Sequence, residues 1–207
     1  MKQPDFEGAR SYVLDHLERE LSPKLVYHSI SHTRDNVVPA SQYLAKMEGL
    51  DGDAYQLLQT AAYFHDIGFT EQYIDHEQVS ARIAAEILPK FEYSPRDIRA
   101  IQKMILATKL PQSPGSLPER ILADADLDVL GRHDFLKRNQ VLRTEIAAYG
   151  NCFDDAEWYA SQLRFLQTHH YWTETARKLR HETKLSNIRL LEELLDQVNK
   201  NGRVKRT

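Results

Sequence analysis

The chain has 207 residues, 42% of them hydrophobic and 28% charged, with a formal net charge of −3. That is enough apolar material for an ordinary globular core, and so mild a charge gives no reason to expect a nucleic-acid surface. No apolar run approaches the ~20 residues of a membrane span, MKQPDFEGAR has no signal-peptide core, and the lone Cys152 allows neither an internal disulfide nor a Cys-rich zinc site, so a cytoplasmic protein is expected.

The dominant hydrophobic period is helical, which predicts an all-α fold. A first helix is expected over about residues 6–21, ending before Pro23. A second contains or follows His32, with Val37, Ala40, Leu44 and Met47 as its apolar stripe. Pro39 falls inside that stripe and implies a kink or a later start. In the third, Leu57, Leu58, Ala61, Ala62 and His65 recur on one face, and Gly68 is a good terminator just beyond. Asp75 and Gln78 form a capping-box pattern for a helix to about residue 88. Ser94-Pro95 opens the next, with Ile98, Ile101 and Ile105 on one face, and PQSPGSLPE (111–119) is the clearest loop.

After Gly131 the pattern predicts helices near 133–149, 154–171, 173–183 and 186–199. Trp158, Phe165, Trp172 and the leucines between 190 and 195 supply core-type residues, and Asn201-Gly202 should end the last helix. No linker or repeat interrupts the chain. One helical domain over 1–200 is therefore expected: a core at about 25–132, a C-terminal helical extension at about 133–200 packed on it, and a basic tail at 201–207.

The chemistry concentrates in AAYFHDIGF. There a largely apolar helix ends by presenting His65 and Asp66 side by side. A buried carboxylate is costly unless it is paired or binds a metal, so partners are needed from elsewhere. His32 in YHSISHTRDNVV and Asp126 in ILADADLDVLG are the candidates. Around Asp126 the residues three and four away are Leu122, Ala123, Val129 and Leu130, an apolar face. Asp124 and Asp128 lie four apart on a different face, where they read as solvated or supporting groups. Two imidazoles and two carboxylates suit Mn, Mg, Fe, Co, Ni or Zn. Each residue alone has an ordinary structural reading: a helix-start histidine for His32, a core histidine for His65, a cap for Asp66, and an ion pair with Arg120 or Arg132 for Asp126. All four would have to coincide.

The order His32, His65-Asp66, Asp126 resembles the HD superfamily of metal-dependent phosphohydrolases. YHS followed by HT, AAYFHDIGF, HEQVSA and DADLDVLG carry the resemblance across roughly residues 25–132, closest to a bacterial group of predicted HD phosphohydrolases. The resemblance implies that His32, His65, Asp66 and Asp126 are the metal ligands. It also implies that one divalent metal activates a water against a small phosphorylated substrate, with nucleotides among the options.

Two-metal relatives use further histidines between the doublet and the last aspartate. Here His76 is the only one in that interval, which favours a single metal. His76 shares a helix face with Val79, Ser80, Ile83 and Ile87, at an end that favours anions. It is the leading catalytic candidate with Asp66. Glu77 is a candidate acid or base, and Glu71 stands near the acid that follows the doublet in some relatives. Lys109 and Arg34 are weaker phosphate-binding candidates than ordinary surface cations. Two alternatives stay open: a nucleotide-binding regulatory HD module with little turnover, and a di-iron HD-type oxygenase.

Overall fold

The computed structural model describes residues 3–204. Nine α-helices lie among them, and no strand: α1 (Phe6–Glu20), α2 (Val38–Met47), α3 (Gly52–Phe64), α4 (His76–Ile87), α5 (Pro95–Leu106), α6 (Leu117–Asp126), α7 (Phe135–Ala148), α8 (Asp155–Thr168) and α9 (Glu174–Val204). The all-α expectation holds. None of these helices is long and apolar enough to cross a membrane.

Helix α3 is the axis of the larger core, with α1, α2, α5 and α6 packed around it. Its final turns, Leu58 to Phe64, are buried all round, as its nearly unbroken apolar sequence requires. Ala9, Val13 and Leu17 line the inner side of α1, whose start is capped by Asp5 accepting from Gly8 N–H at 2.9 Å. A smaller core, around Phe135, Leu166 and Leu191, joins α7, α8 and α9 to the 3₁₀ turn after α6.

Pro39 is accommodated by a device not expected from the sequence. Residues His32–Val37 form a π-helical turn that leads directly into α2, with Val38 N–H bonded to Thr33 O. Proline has no N–H for the carbonyl four residues back, and the widened turn re-spaces the ladder ahead of it. Met47, expected on the apolar stripe, is exposed: α2 ends at this residue, and Leu44 and Ala45 are the last of its residues to enter the core.

Gly68 corrects a second expectation. Helix α3 stops at Phe64, and Gly68 lies in the following 3₁₀ turn, Ile67–Thr70. A Cβ there would stand 2.1 Å from the His76 carbonyl oxygen and 2.8 Å from Ser80 N. Its hydrogen replaces a side chain so that α4 can approach, and Gly68 N–H donates to Ser80 Oγ at 2.8 Å. The Asp75–Gln78 capping box does not form. Asp75 is left-handed (φ 58°) and its side chain makes no cap bond, pairing instead with Lys109 Nζ at 2.5 Å.

At the C-terminal end, the two helices expected over 173–183 and 186–199 are one, α9. No glycine or proline interrupts it before Gly202, and Asn187 ties its middle inward by donating to the carbonyls of Leu130 and Arg132 at 3.0 and 2.9 Å. Asn201-Gly202 does not end it either. A glycine costs a helix only about 1 kcal/mol, and the helix continues to Val204, so the expected tail is helical over 201–204. Residues 205–207 of that tail lie outside the described residues.

Asp124 and Asp128 are neither solvated nor opposed. Helix α6 ends at Asp126 and a 3₁₀ turn follows, so the two side chains leave in different directions. Asp124 accepts from Trp172 N, Thr173 N and Thr173 Oγ1 at 2.7, 2.8 and 2.7 Å, clamping the start of α9. Asp128 receives Arg180 through Nε and Nη2 at 2.6 and 2.9 Å. Between them Gly131 meets the same helix, where a Cβ would lie 2.4 Å from that of Arg180.

Candidate metal centre

Three ends of helical elements converge on one point. His32 opens the π turn, His65 and Asp66 follow the last residue of α3, and Asp126 is the last residue of α6. Donor atoms of His32, His65 and Asp66 lie within 4.8 Å of one another, and all three residues are buried. Asp126 Oδ1 stands 3.3 Å from His32 Nε2 and 3.5 Å from His65 Nε2. Asp66 Oδ2 is 3.1 Å from His65 Nε2 and 3.5 Å from His32 Nε2. The four residues singled out in the sequence are thus brought together, and among the described residues Asp126 forms no ion pair with an arginine. Arg132 is taken by Asp134 instead.

The state of these atoms is what makes the cluster a metal site in form. His65 Nδ1–H donates to Ala62 O at 2.8 Å, which leaves the Nε2 lone pair facing the centre. His65 Nε2 and Asp66 Oδ2 are both buried, and neither makes a hydrogen bond. Buried polar atoms in that condition are rare, and a cation between them would satisfy both. Burial opposes ionisation of Asp66, yet the imidazoles of His65 and His76 hold its carboxyl well below the usual range. Asp126 is likewise held low against burial by His32 and His65. Burial pushes His65 down, but the two carboxylates lift it well above its ordinary value. For His32 burial prevails, and it is lowered. Two anions, Asp66 buried and Asp126 half-buried, favour positive charge at this point. The N/O donor set fits a divalent cation of the hard-to-borderline class.

His76, the first residue of α4, reaches this centre: its Nε2 lies 3.3 Å from Asp66 Oδ1. Its ring stacks on Phe69, with centroids 3.7 Å apart. Glu77 is nearly buried, with Oε2 3.7 Å from His76 Nδ1. Glu71 is not brought to the site. It is half exposed and paired with Arg82, because the Ile67–Thr70 turn carries the chain back toward the surface. Arg34 pairs with its neighbour Asp35 and is exposed. Lys109 is held by Asp75.

A further imidazole went unassigned in the sequence. His28 stands edge-on to His32, with centroids 5.6 Å apart, and 6.2 Å from His76. Its Nδ1 is 2.5 Å from Oε1 of Glu145, a carboxylate buried in α7. Glu145 also accepts from the backbone N–H groups of Tyr27 and His28, at 2.7 and 3.0 Å, and from Tyr73 OH at 3.3 Å. Burial would raise Glu145, but these donors hold it below its ordinary value. Burial would lower His28, but Glu145 and Asp66 raise it. The only sequence signal for the pair was the YH of YHS, one residue ahead of an already busy motif.

The family model for the HD domain matches residues 29–128. No functionally curated protein matches this sequence. Two solved structures are similar over most of the chain. One is a predicted HD superfamily hydrolase from an uncultured Thermotogales bacterium, 24% identical with a TM-score of 0.59, covering 94% of this chain and 93% of its own. The other is Bacillus subtilis YpgQ in complex with ADP, 24% identical with a TM-score of 0.64, covering 91% of this chain and 94% of its own. At that identity they establish a shared fold. The residues that converge here all lie within the stretch, 29–128, that matches the HD domain.

Proposed function

We propose that this protein is a metal-dependent phosphohydrolase that cleaves a phosphoester or nucleotide phosphate. The observation that carries the reading is the pair of buried, unbonded donor atoms, His65 Nε2 and Asp66 Oδ2, facing His32 and Asp126. A divalent metal held by these four residues supplies Lewis-acid charge for phosphoryl oxygens and lowers the pKa of a bound water. Asp66 has a second task, since its Oδ1 faces His76. It thereby orients an imidazole toward the reacting group, with the Glu77 carboxylate 3.7 Å from the ring's other nitrogen. His28, turned by Glu145, brings a second imidazole to the same side and can hydrogen-bond a phosphoryl or leaving-group oxygen. Glu71, tied to Arg82, takes no part. Water adds to phosphorus, the P–O bond to the leaving group breaks, and that oxygen gains the proton.

The ADP held by the YpgQ structure supports a nucleotide as the ligand class. It equally suits the alternative of a nucleotide-binding module with little turnover. Metal content and hydrolysis of a nucleotide and phosphomonoester panel, measured on the same preparations, separate the readings. Wild type should carry one divalent metal per chain and lose turnover on chelation. His65→Ala and Asp66→Ala should lose metal and activity together. His76→Ala should retain metal but turn over ~100-fold more slowly, the usual scale for a positioned acid–base group. Nucleotide binding without hydrolysis would establish the regulatory module instead. Two irons per chain with oxygen-dependent turnover would establish the oxygenase.

A further inference from the structure

The family match stops at residue 128, yet α7 brings side chains to residues beside and within the metal centre. Arg138, Glu145 and Tyr149 recur along it at helical spacing. Glu145 holds His28, and Tyr149 stacks on Tyr73 with centroids 4.0 Å apart. Arg138 is the member without an evident task. Its guanidinium lies over the buried Tyr27 ring, 4.8 Å from the centroid. It lines a narrow crevice with Asn36 and Arg132 whose other walls include His32 and Asp126, two residues of the metal centre.

The two guanidiniums in this crevice are not equivalent. Arg132 is fully engaged: Nε and Nη2 clasp Asp134 at 2.8 and 2.7 Å, and Nη1 donates to Asn36 Oδ1 at 2.8 Å. Arg138 makes no ion pair and no side-chain hydrogen bond among the described residues. A planar fork that is oriented by an aromatic face and has unused donors is suited to bidentate recognition of an oxyanion. The crevice it shares with His32 and Asp126 has a volume of only about 10 Å³, so an oxyanion would meet Arg138 at its mouth, on the side of the metal centre.

We propose that Arg138 binds a phosphate adjoining the one at the metal centre, so that the site selects ligands with two or more linked phosphates over monophosphates. The ligand class rests on the phosphohydrolase reading above. The competing role is packing against Tyr27 alone.

The test is calorimetric binding of imidodiphosphate, a diphosphate that resists hydrolysis, and of orthophosphate to the Mn²⁺-loaded full chain. Wild type is compared with Arg138→Gln and with Arg138→Met, which keeps the stem's packing on Tyr27. Metal content and thermal midpoint are read on the same samples. Wild type should bind imidodiphosphate at least ~tenfold more tightly than orthophosphate, the scale of a charge-assisted hydrogen bond. Both variants should lose that preference with metal content unchanged. A wild type without the preference, or an Arg138→Met protein that retains it, would overturn the proposal. Because the readout is binding, failure to hydrolyse any phosphoester would count against the hydrolase reading and leave the Arg138 result standing.

Discussion

At the scale of single residues, the centre depends on charges that hold one another in place. The His28–Glu145 pair shows the consequence most directly. Tyr27, Tyr73, Asp66 and Asp126 surround it, and both members are shifted toward their charged forms. Glu145 is held below its ordinary value of 4.5, so it contributes stability above that pH and loses it as acid drives the folded carboxylate to protonate. His28 is raised above 6.5, so its contribution is complete below that pH and is lost as pH rises through the raised value. The pair should therefore stabilise most between these two limits. Glu145→Gln is expected to cost about 2 kcal/mol near pH 6, the worth of hydrogen bonds to a charged acceptor, and to flatten both limbs of the stability profile. Urea unfolding between pH 3 and 9 checks this. A variant whose pH profile parallels the wild type would show that the pair is not charged.

At the scale of elements, the site depends on how closely α4 can approach the end of α3. That approach is set by Gly68 against the His76 carbonyl and Ser80. Gly68→Ala forces the two apart in a packed region, which typically costs 1–3 kcal/mol. The same displacement draws His76 Nε2 away from Asp66 Oδ1. Gly68→Ala should therefore lower both the thermal midpoint and turnover while His32, His65, Asp66 and Asp126 still hold metal. Normal turnover in a destabilised Gly68→Ala protein would separate the packing of α4 from catalysis. The glycine was visible in the sequence, but its reason was not. Terminating a helix and admitting a neighbouring backbone both call for glycine, and only the approach of α4 distinguishes them.

At the scale of the whole molecule, α7–α9 are tied to the HD domain through buried polar groups as well as through the apolar contacts of the smaller core. Asp124 clamps the start of α9, Asp128 takes Arg180, and Glu145 reaches Tyr27 and His28. Removing residues 133–207 would strip partners from two buried aspartates and from the site's own histidine, and a buried charge left alone costs roughly 3–5 kcal/mol. A fragment of residues 1–132 is expected to show no cooperative unfolding transition by circular dichroism. A cooperative transition close to that of the full chain would instead make the extension a separate unit, contrary to the single domain expected from the sequence.

The helices and the four residues that converge, His32, His65, Asp66 and Asp126, were readable from the amino-acid order because both are local or repeated signals. Hydrophobic period marks which way a helix faces, and His32, His65, Asp66 and the half-buried Asp126 each stand at the end of a helical element. What the tertiary structure alone decided were the partners. Glu145 meets His28 across 117 residues, and no local pattern encodes such a contact. Glu71 and Glu77 looked alike as acids near the doublet, yet a single 3₁₀ turn sends one to Arg82 at the surface and the next helix brings the other behind His76. Asp124 and Asp128 read as solvated or supporting groups on one face until the change from α-helix to 3₁₀ turn aimed each at α9. Periodicity tells a side chain to face inward, but only the packing of distant elements settles what it finds there.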